Sequence, residues 1–235
     1  MQSEHTFKQY DNELEAVRAK VLQMGGLVEE QIINAIESLT GANMQLADQV
    51  IERDHEVNGL EVSVDEDCSH IIARRQPAAG DLRMIMMIVK TITDLERIGD
   101  EATKIARVAK RLHEADRMAA PRFKEIKNMS DQVRDMLRVS LDAFARLDVS
   151  RTVEVARQDM QVDDDFRGVI RQLITFMLED PRTISMSLDV LFVAKAIERI
   201  GDHAKNIAEY VVYMVKGKDV RHVSMQEMER ETLTQ

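Results

Sequence analysis

Apolar residues recur along this chain at alternating steps of three and four, the mark of one buried face on an α-helix. Near the N-terminus Leu14, Val17, Val21, Met24, Val28, Ala35 and Leu39 keep that rhythm, and Leu82, Ile85, Val89, Ile92, Leu95, Ala102 and Ile105 take it up again. The most regular run comes last: Ile197, Ile200, Ala204, Ile207, Val211 and Met214. Seams of this kind suit long antiparallel helices packed at shallow angles. Breakers separate the periodic stretches at Gly41 to Asn43, Gln76 to Asp81, His113 to Pro121, Leu147 to Ser150 and Asp180 to Thr183, and Lys216-Gly217-Lys218 closes the last. They leave six segments of roughly 25–35 residues, enough for helices of about 40–50 Å. The predicted class is all-α, six long helices whose short connections favour up-down neighbours.

The six helices are two copies of three. Leu95-Glu96-Arg97-Ile98-Gly99-Asp100 returns 102 residues later as Ile197-Glu198-Arg199-Ile200-Gly201-Asp202, and Ala102/Ala204, Ile105/Ile207 and Ala106/Ala208 extend the match. Asp54-x-x-Val57-Asn58 stands opposite Asp159-x-x-Val162-Asp163, and Pro77 opposite Pro181. The expected organisation is two tandem, repeat-related antiparallel three-helix bundles, residues 1–115 and 118–216, followed by a polar tail over 217–235.

Charge narrows the partner classes. With 42 acidic and 32 basic residues the net charge is −10, so the chain gains nothing from counterion release on a phosphate backbone, and nucleic acid is not an expected partner. The same balance argues against a membrane-surface role and against a basic pocket for free anions; positive charge would have to come from a bound cation or a partner. A single cysteine, Cys68, reads as a small buried residue in a reducing compartment. Met84, Met86 and Met87 read as core filler. The N-terminus lacks a signal-peptide pattern and the apolar runs are too short to span a bilayer, so the expected location is cytoplasmic, without membrane insertion.

The candidate chemistry is Glu-x-x-x-Asp, present as Glu96/Asp100 and Glu198/Asp202. Residues four apart share a helix face, so each motif sets two like charges side by side, a cost that a hard cation would remove. About seven or eight acidic pairs at this spacing arise by composition alone, and Glu61/Asp65 is one without an acidic counterpart in the second half. Both motifs lie off the apolar seam, toward solvent or another helix's flank. Gly99 and Gly201 cost about 1 kcal/mol each inside a helix, which a close helix approach beside the carboxylates would explain. His203 is expected at the surface, since Glu101 takes its place in the first repeat. One di-iron-type pair, Glu52-x-x-His55, faces Met160 in the repeat, and no nucleophile with a base, Gly-rich phosphate loop or paired cysteine ligand set is present.

Two Glu-Arg-Ile-Gly-Asp motifs a hundred residues apart, each late in a three-helix unit, resemble the PhoU family of phosphate-uptake regulators. Ile72-Ala73-Arg74-Arg75-Gln76-Pro77, Val169-Ile170-Arg171-Gln172-Leu173 and Arg221-His222-Val223 carry the resemblance across nearly the whole chain. The resemblance implies a non-enzymatic, cytoplasmic, homodimeric negative regulator of the phosphate-starvation regulon. Its partners would be the ATPase of a phosphate-specific ABC transporter and a membrane sensor histidine kinase. It also implies divalent or iron-type metal ions at surface Glu/Asp-x-x-x-Asp motifs, here Glu96, Asp100, Glu198 and Asp202, with Asp159 and Asp163 in the second half and Asp54 in the first, where Asn58 departs from the pattern. Four carboxylates against three, with Lys104 beside the first set and Asn206 in its place beside the second, lead to the expectation of tighter cation binding in the second half. The alternative is a metal-dependent phosphohydrolase working through the same surface carboxylates.

Overall fold

The computed structural model describes residues 8–114 and 124–233. The helices are α1 (Lys8–Thr40), α2 (Met44–Arg75), α3 (Ala79–Glu114), α4 (Lys124–Arg146), α5 (Thr152–Glu179), α6 (Ile184–Lys216) and α7 (Met225–Leu233), with a single 3-10 turn, Pro181–Thr183, ahead of α6. There is no strand among the described residues, and no helix is long and apolar enough to cross a membrane.

The breakers act through identifiable caps. Asn43 opens α2 by accepting a hydrogen bond from the Leu46 amide at 3.3 Å. Gln76 ends α2 in the left-handed region at φ 49°, just ahead of Pro77. Gly217 ends α6 at φ 71°, its N–H donating to Tyr213 O at 2.9 Å, a conformation that glycine adopts without penalty. Asp180 caps the Pro181 turn by accepting from the Arg182 amide at 3.0 Å.

Helices α1, α2 and α3 pack on one another, as do α4, α5 and α6, and α3 and α6 lie along each other between the two groups. The seams enter the core as expected: Leu14 through Leu39 on α1 and Ile197 through Met214 on α6 are all buried. Because α3 and α6 each face two sets of neighbours, they bury a second line as well, Asp94, Glu101 and Val108 on α3 and Ala196, His203 and Tyr210 on α6, at heptad spacing. Cys68 is buried on α2, and burial pushes its thiol up to about 12, out of reach of ordinary thiolate chemistry.

Four details differ from the sequence reading. Met87 is core, but Met86 is exposed and Met84 only half-buried. Leu82, assigned to the seam, is also exposed. His203 is buried, not at the surface, because it sits on the second line of α6. The segment after Lys216 is more than a polar tail: α7 packs on α5, with Val220 and Met228 buried.

The repeated glycines mark close approaches. A Cβ at Gly99 would lie 3.0 Å from Gln31 Oε1 and 3.6 Å from Asp54 Oδ1; one at Gly201 would lie 3.3 Å from a Val133 methyl. Each third helix is thus approached, beside its motif carboxylates, by side chains of its own bundle, as the glycine cost implied.

Candidate functional site

In the first repeat, α3 carries Glu96 half-buried and Asp100 exposed one turn on, and α2 brings Asp54 and Glu61 to the same patch. The patch is held by hydroxyls. Thr103 Oγ1 donates to Asp54 Oδ1 at 3.2 Å, and Thr93 hydrogen-bonds Glu61. Burial, then Asp100, Glu61 and Asp54, push the Glu96 carboxyl above its ordinary value; burial, then Asp65, raises Glu61 against Thr93 and Arg97. Gln31 of α1 lies against this patch with both amide atoms buried and no hydrogen-bond partner within the protein. Asn58 is exposed one turn beyond Asp54.

In the second repeat the same positions carry lysines. Lys205 Nζ bonds Asp159 Oδ2 at 2.7 Å, and Lys195 pairs with Glu198. The repeat counterparts of Lys205 and Lys195 are Thr103 and Thr93. Phe166 stands where Glu61 stands, with Lys195 Nζ 5.5 Å from its ring centroid. Partial desolvation, then Glu198 and Asp159, raise the Asp202 carboxyl, with both lysines opposing. Asp163 sits half-buried one turn along α5 from Asp159. Lys104 of the first repeat, expected to dilute the first-half charge, instead bonds Glu101 at 3.0 Å.

The structure therefore reverses the charge ranking read from the sequence: among the described residues the first-half carboxylates lack lysine partners, and the second-half ones have two. Among the described residues no three His, Cys, Asp or Glu side chains converge closely enough to hold a metal ion as they stand. The donor types of the first-half patch suit a hard cation, all being oxygens. The second-half donors are oxygens too, but there lysines occupy carboxylates of Asp159 and Glu198.

Three buried charged residues escaped sequence reasoning. Asp94 lies 2.6 Å from His203 Nδ1 across the α3–α6 contact and also accepts from Asn206 at 3.3 Å. Glu101, its side chain 4% exposed, pairs with Arg199 at 2.8 Å. Glu209 is raised to about 7, first by burial and then by Asp159 and Asp219, with Lys205 and Arg221 opposing. The heptad line of the second buried face was the available signal for Asp94, Glu101 and His203.

The PhoU domain model matches the chain twice, over residues 21–109 and 126–211. A Pseudomonas putida protein named phosphate-specific transport system accessory protein PhoU homolog is 49% identical over 97% of this chain and 88% of its own length. The Escherichia coli K12 protein named phosphate-specific transport system accessory protein PhoU is 45% identical over 97% of this chain and 94% of its own. The crystal structure of PhoU from Pseudomonas aeruginosa superposes with a TM-score of 0.86 at 48% identity, covering 89% of this chain and all of that one. That of the phosphate transport system regulatory protein PhoU from Streptococcus pneumoniae gives 0.82 at 27% identity, covering 90% and 99%.

Proposed function

The chain belongs to the PhoU family, and from that premise we propose that it is an accessory protein regulating phosphate-specific transport. It works by contact and not by catalysis, in the cytoplasm and as a homodimer. It links the ATPase of a phosphate-specific ABC transporter to a membrane sensor histidine kinase, so that the phosphate-starvation regulon stays repressed while phosphate is plentiful. The names of the relatives, accessory and regulatory proteins of phosphate transport, support the first part of this reading.

The observation that carries the adaptor role is an exposed apolar stripe. Ile184, Leu188 and Phe192 follow one another at four-residue spacing on α6 and are 42%, 41% and 62% exposed; Leu178, at the facing end of α5, is 80% exposed. The first repeat exposes Leu82 and Met86 at the positions equivalent to Ile184 and Leu188. A soluble bundle gains nothing by keeping such residues in water, and a face of this kind is ordinary for protein docking. Ile184→Glu with Leu188→Glu leaves the buried seam untouched. We expect the double variant to lose capture of the transporter ATPase and to derepress starvation genes in rich phosphate. Unchanged capture together with unchanged repression would overturn the proposal.

Cation binding at the motifs is part of this reading for the first half, where, among the described residues, Asp54, Glu61, Glu96 and Asp100 are without lysine partners and present oxygen donors to one patch.

A further inference from the structure

A groove of about 490 Å³ runs between α3 and α6, and five cations line it: Lys104, Arg107 and Arg111 from α3, Lys195 and Arg199 from α6. In a chain of net charge −10 this concentration runs against the composition. Among the described residues three carboxylates answer it. Glu101 on the floor takes Lys104 at 3.0 Å and Arg199 at 2.8 Å, Asp189 takes Arg111 at 3.2 Å, and Glu198 takes Lys195. Arg107 has no ion-pair partner among the described residues. Phe192, largely exposed, lies at the edge.

The internal repeat supplies a comparison. Moving 102 residues along exchanges Lys104, Arg107 and Arg111 for Asn206, Glu209 and Tyr213, and Lys195 for Thr93. That equivalent face is closed by the chain itself: Val220 is buried there, with Asp219 and Arg221 set against Lys90, Glu209 and Tyr210. The basic groove is therefore specific to one side of the helix pair and not a by-product of the repeat.

We propose that this groove binds the polyphosphate chain of a small anionic ligand. Guanidinium forks match phosphate oxygens two at a time, and Arg107 has its donors uncommitted. Lys104 to Arg111 covers about 10 Å of helix, a span suited to several linked phosphates. The volume is that of an ordinary small-molecule site. The acidic remainder of the molecule is screened beyond about 8 Å at physiological salt, so the local surplus sets the affinity. Two ligands share this chemistry, a nucleoside triphosphate whose base lies on Phe192 and inorganic polyphosphate. The assignment is independent of the regulatory reading.

Calorimetric titration of the full chain with ATP and with tripolyphosphate, in about 0.15 M salt, tests it. We expect binding that Arg107→Glu weakens by about tenfold or more, while Arg74→Glu, the same charge change at an exposed position on α2, leaves it unchanged. Because Arg107 holds no partner, its variants should melt with the parent; Arg107→Gln gives a second, milder loss if the reversal does not fold. Weakening of ATP alone by Phe192→Ala identifies a nucleotide, and no weakening of either probe identifies the inorganic chain; both support the groove. Failure of both probes to bind, or equal losses with Arg107→Glu and Arg74→Glu, overturns it.

Discussion

The two repeats share a backbone plan and a motif, yet they handle the same carboxylates in opposite ways. In the first, hydroxyls from Thr93 and Thr103 support Glu61 and Asp54, and the patch keeps its charge. In the second, Lys195 and Lys205 occupy those two positions and neutralise Glu198 and Asp159. Threonine for lysine at two positions, with Glu61 in place of Phe166, turns a structural ion-pair network into an anionic patch. Duplication thus preserved the scaffold while dividing its surface: free negative charge on one bundle, a cationic groove at the α3–α6 contact, and an apolar stripe extending along α6.

The largest expected effect concerns the contact on which both halves depend. Asp94→Ala leaves His203 Nδ1 and the Asn206 amide without their acceptor in a buried place, and should cost about 2–4 kcal/mol in thermal or denaturant unfolding. A loss below 0.5 kcal/mol, roughly that of a surface change, would show that the pair is not an anchor between the halves.

Next comes the pH dependence carried by Glu209 in the second half. The Glu209 carboxyl sits at about 7 in the folded chain, above its ordinary 4.5, so the folded state holds the proton longer than the unfolded one. Stability therefore falls as pH rises from about 4.5 to 7, and the full penalty is present above 7. Glu209→Gln should remove it, stabilising the protein by up to about 3 kcal/mol at pH 8 and by almost nothing at pH 4. Equal shifts at both pH values would contradict the assignment.

Cation affinity sharpens the comparison further. With Mn²⁺ as probe, Glu96→Ala with Asp100→Ala should lower affinity more than Glu198→Ala with Asp202→Ala, since lysines already fill the second patch. The reverse ranking would restore the expectation drawn from counting carboxylates. A smaller effect should follow from removing the second-half solution: Lys195→Thr beside Glu198 should lower stability by about 0.5 kcal/mol at low salt, fading as salt is added.

Much of the fold was legible because core seams are local. Ile197 to Met214 announces a buried helix face by spacing alone, and the Glu-Arg-Ile-Gly-Asp pair announces the duplication. The candidate carboxylates were legible for the same reason. Their partners were not, because Lys205 meets Asp159 from another helix, and a tally of nearby charges gave Lys104 to the wrong carboxylates. The Thr93/Lys195 and Thr103/Lys205 exchanges were present in the aligned repeats and carried that information. His203 was misplaced because a single-seam reading allows each helix one buried face, whereas α3 and α6 bury two. The basic groove was hidden by net charge: Lys104, Arg107 and Arg111 share a helix face in sequence, but only the α3–α6 pairing brings Lys195 and Arg199 beside them.

The division of charge between the repeats is tested most directly by one pair of conservative variants, Glu96→Gln and Glu198→Gln, melted side by side at pH 8 and low salt. Glu96 is surrounded by Asp54, Glu61 and Asp100, so its neutralisation should stabilise the protein by a few tenths of a kcal/mol. Glu198 is paired with Lys195, so its neutralisation should give no gain or a loss of similar size. Opposite signs, converging as salt is raised, are the result predicted here; stabilisation of equal size by both variants would contradict it.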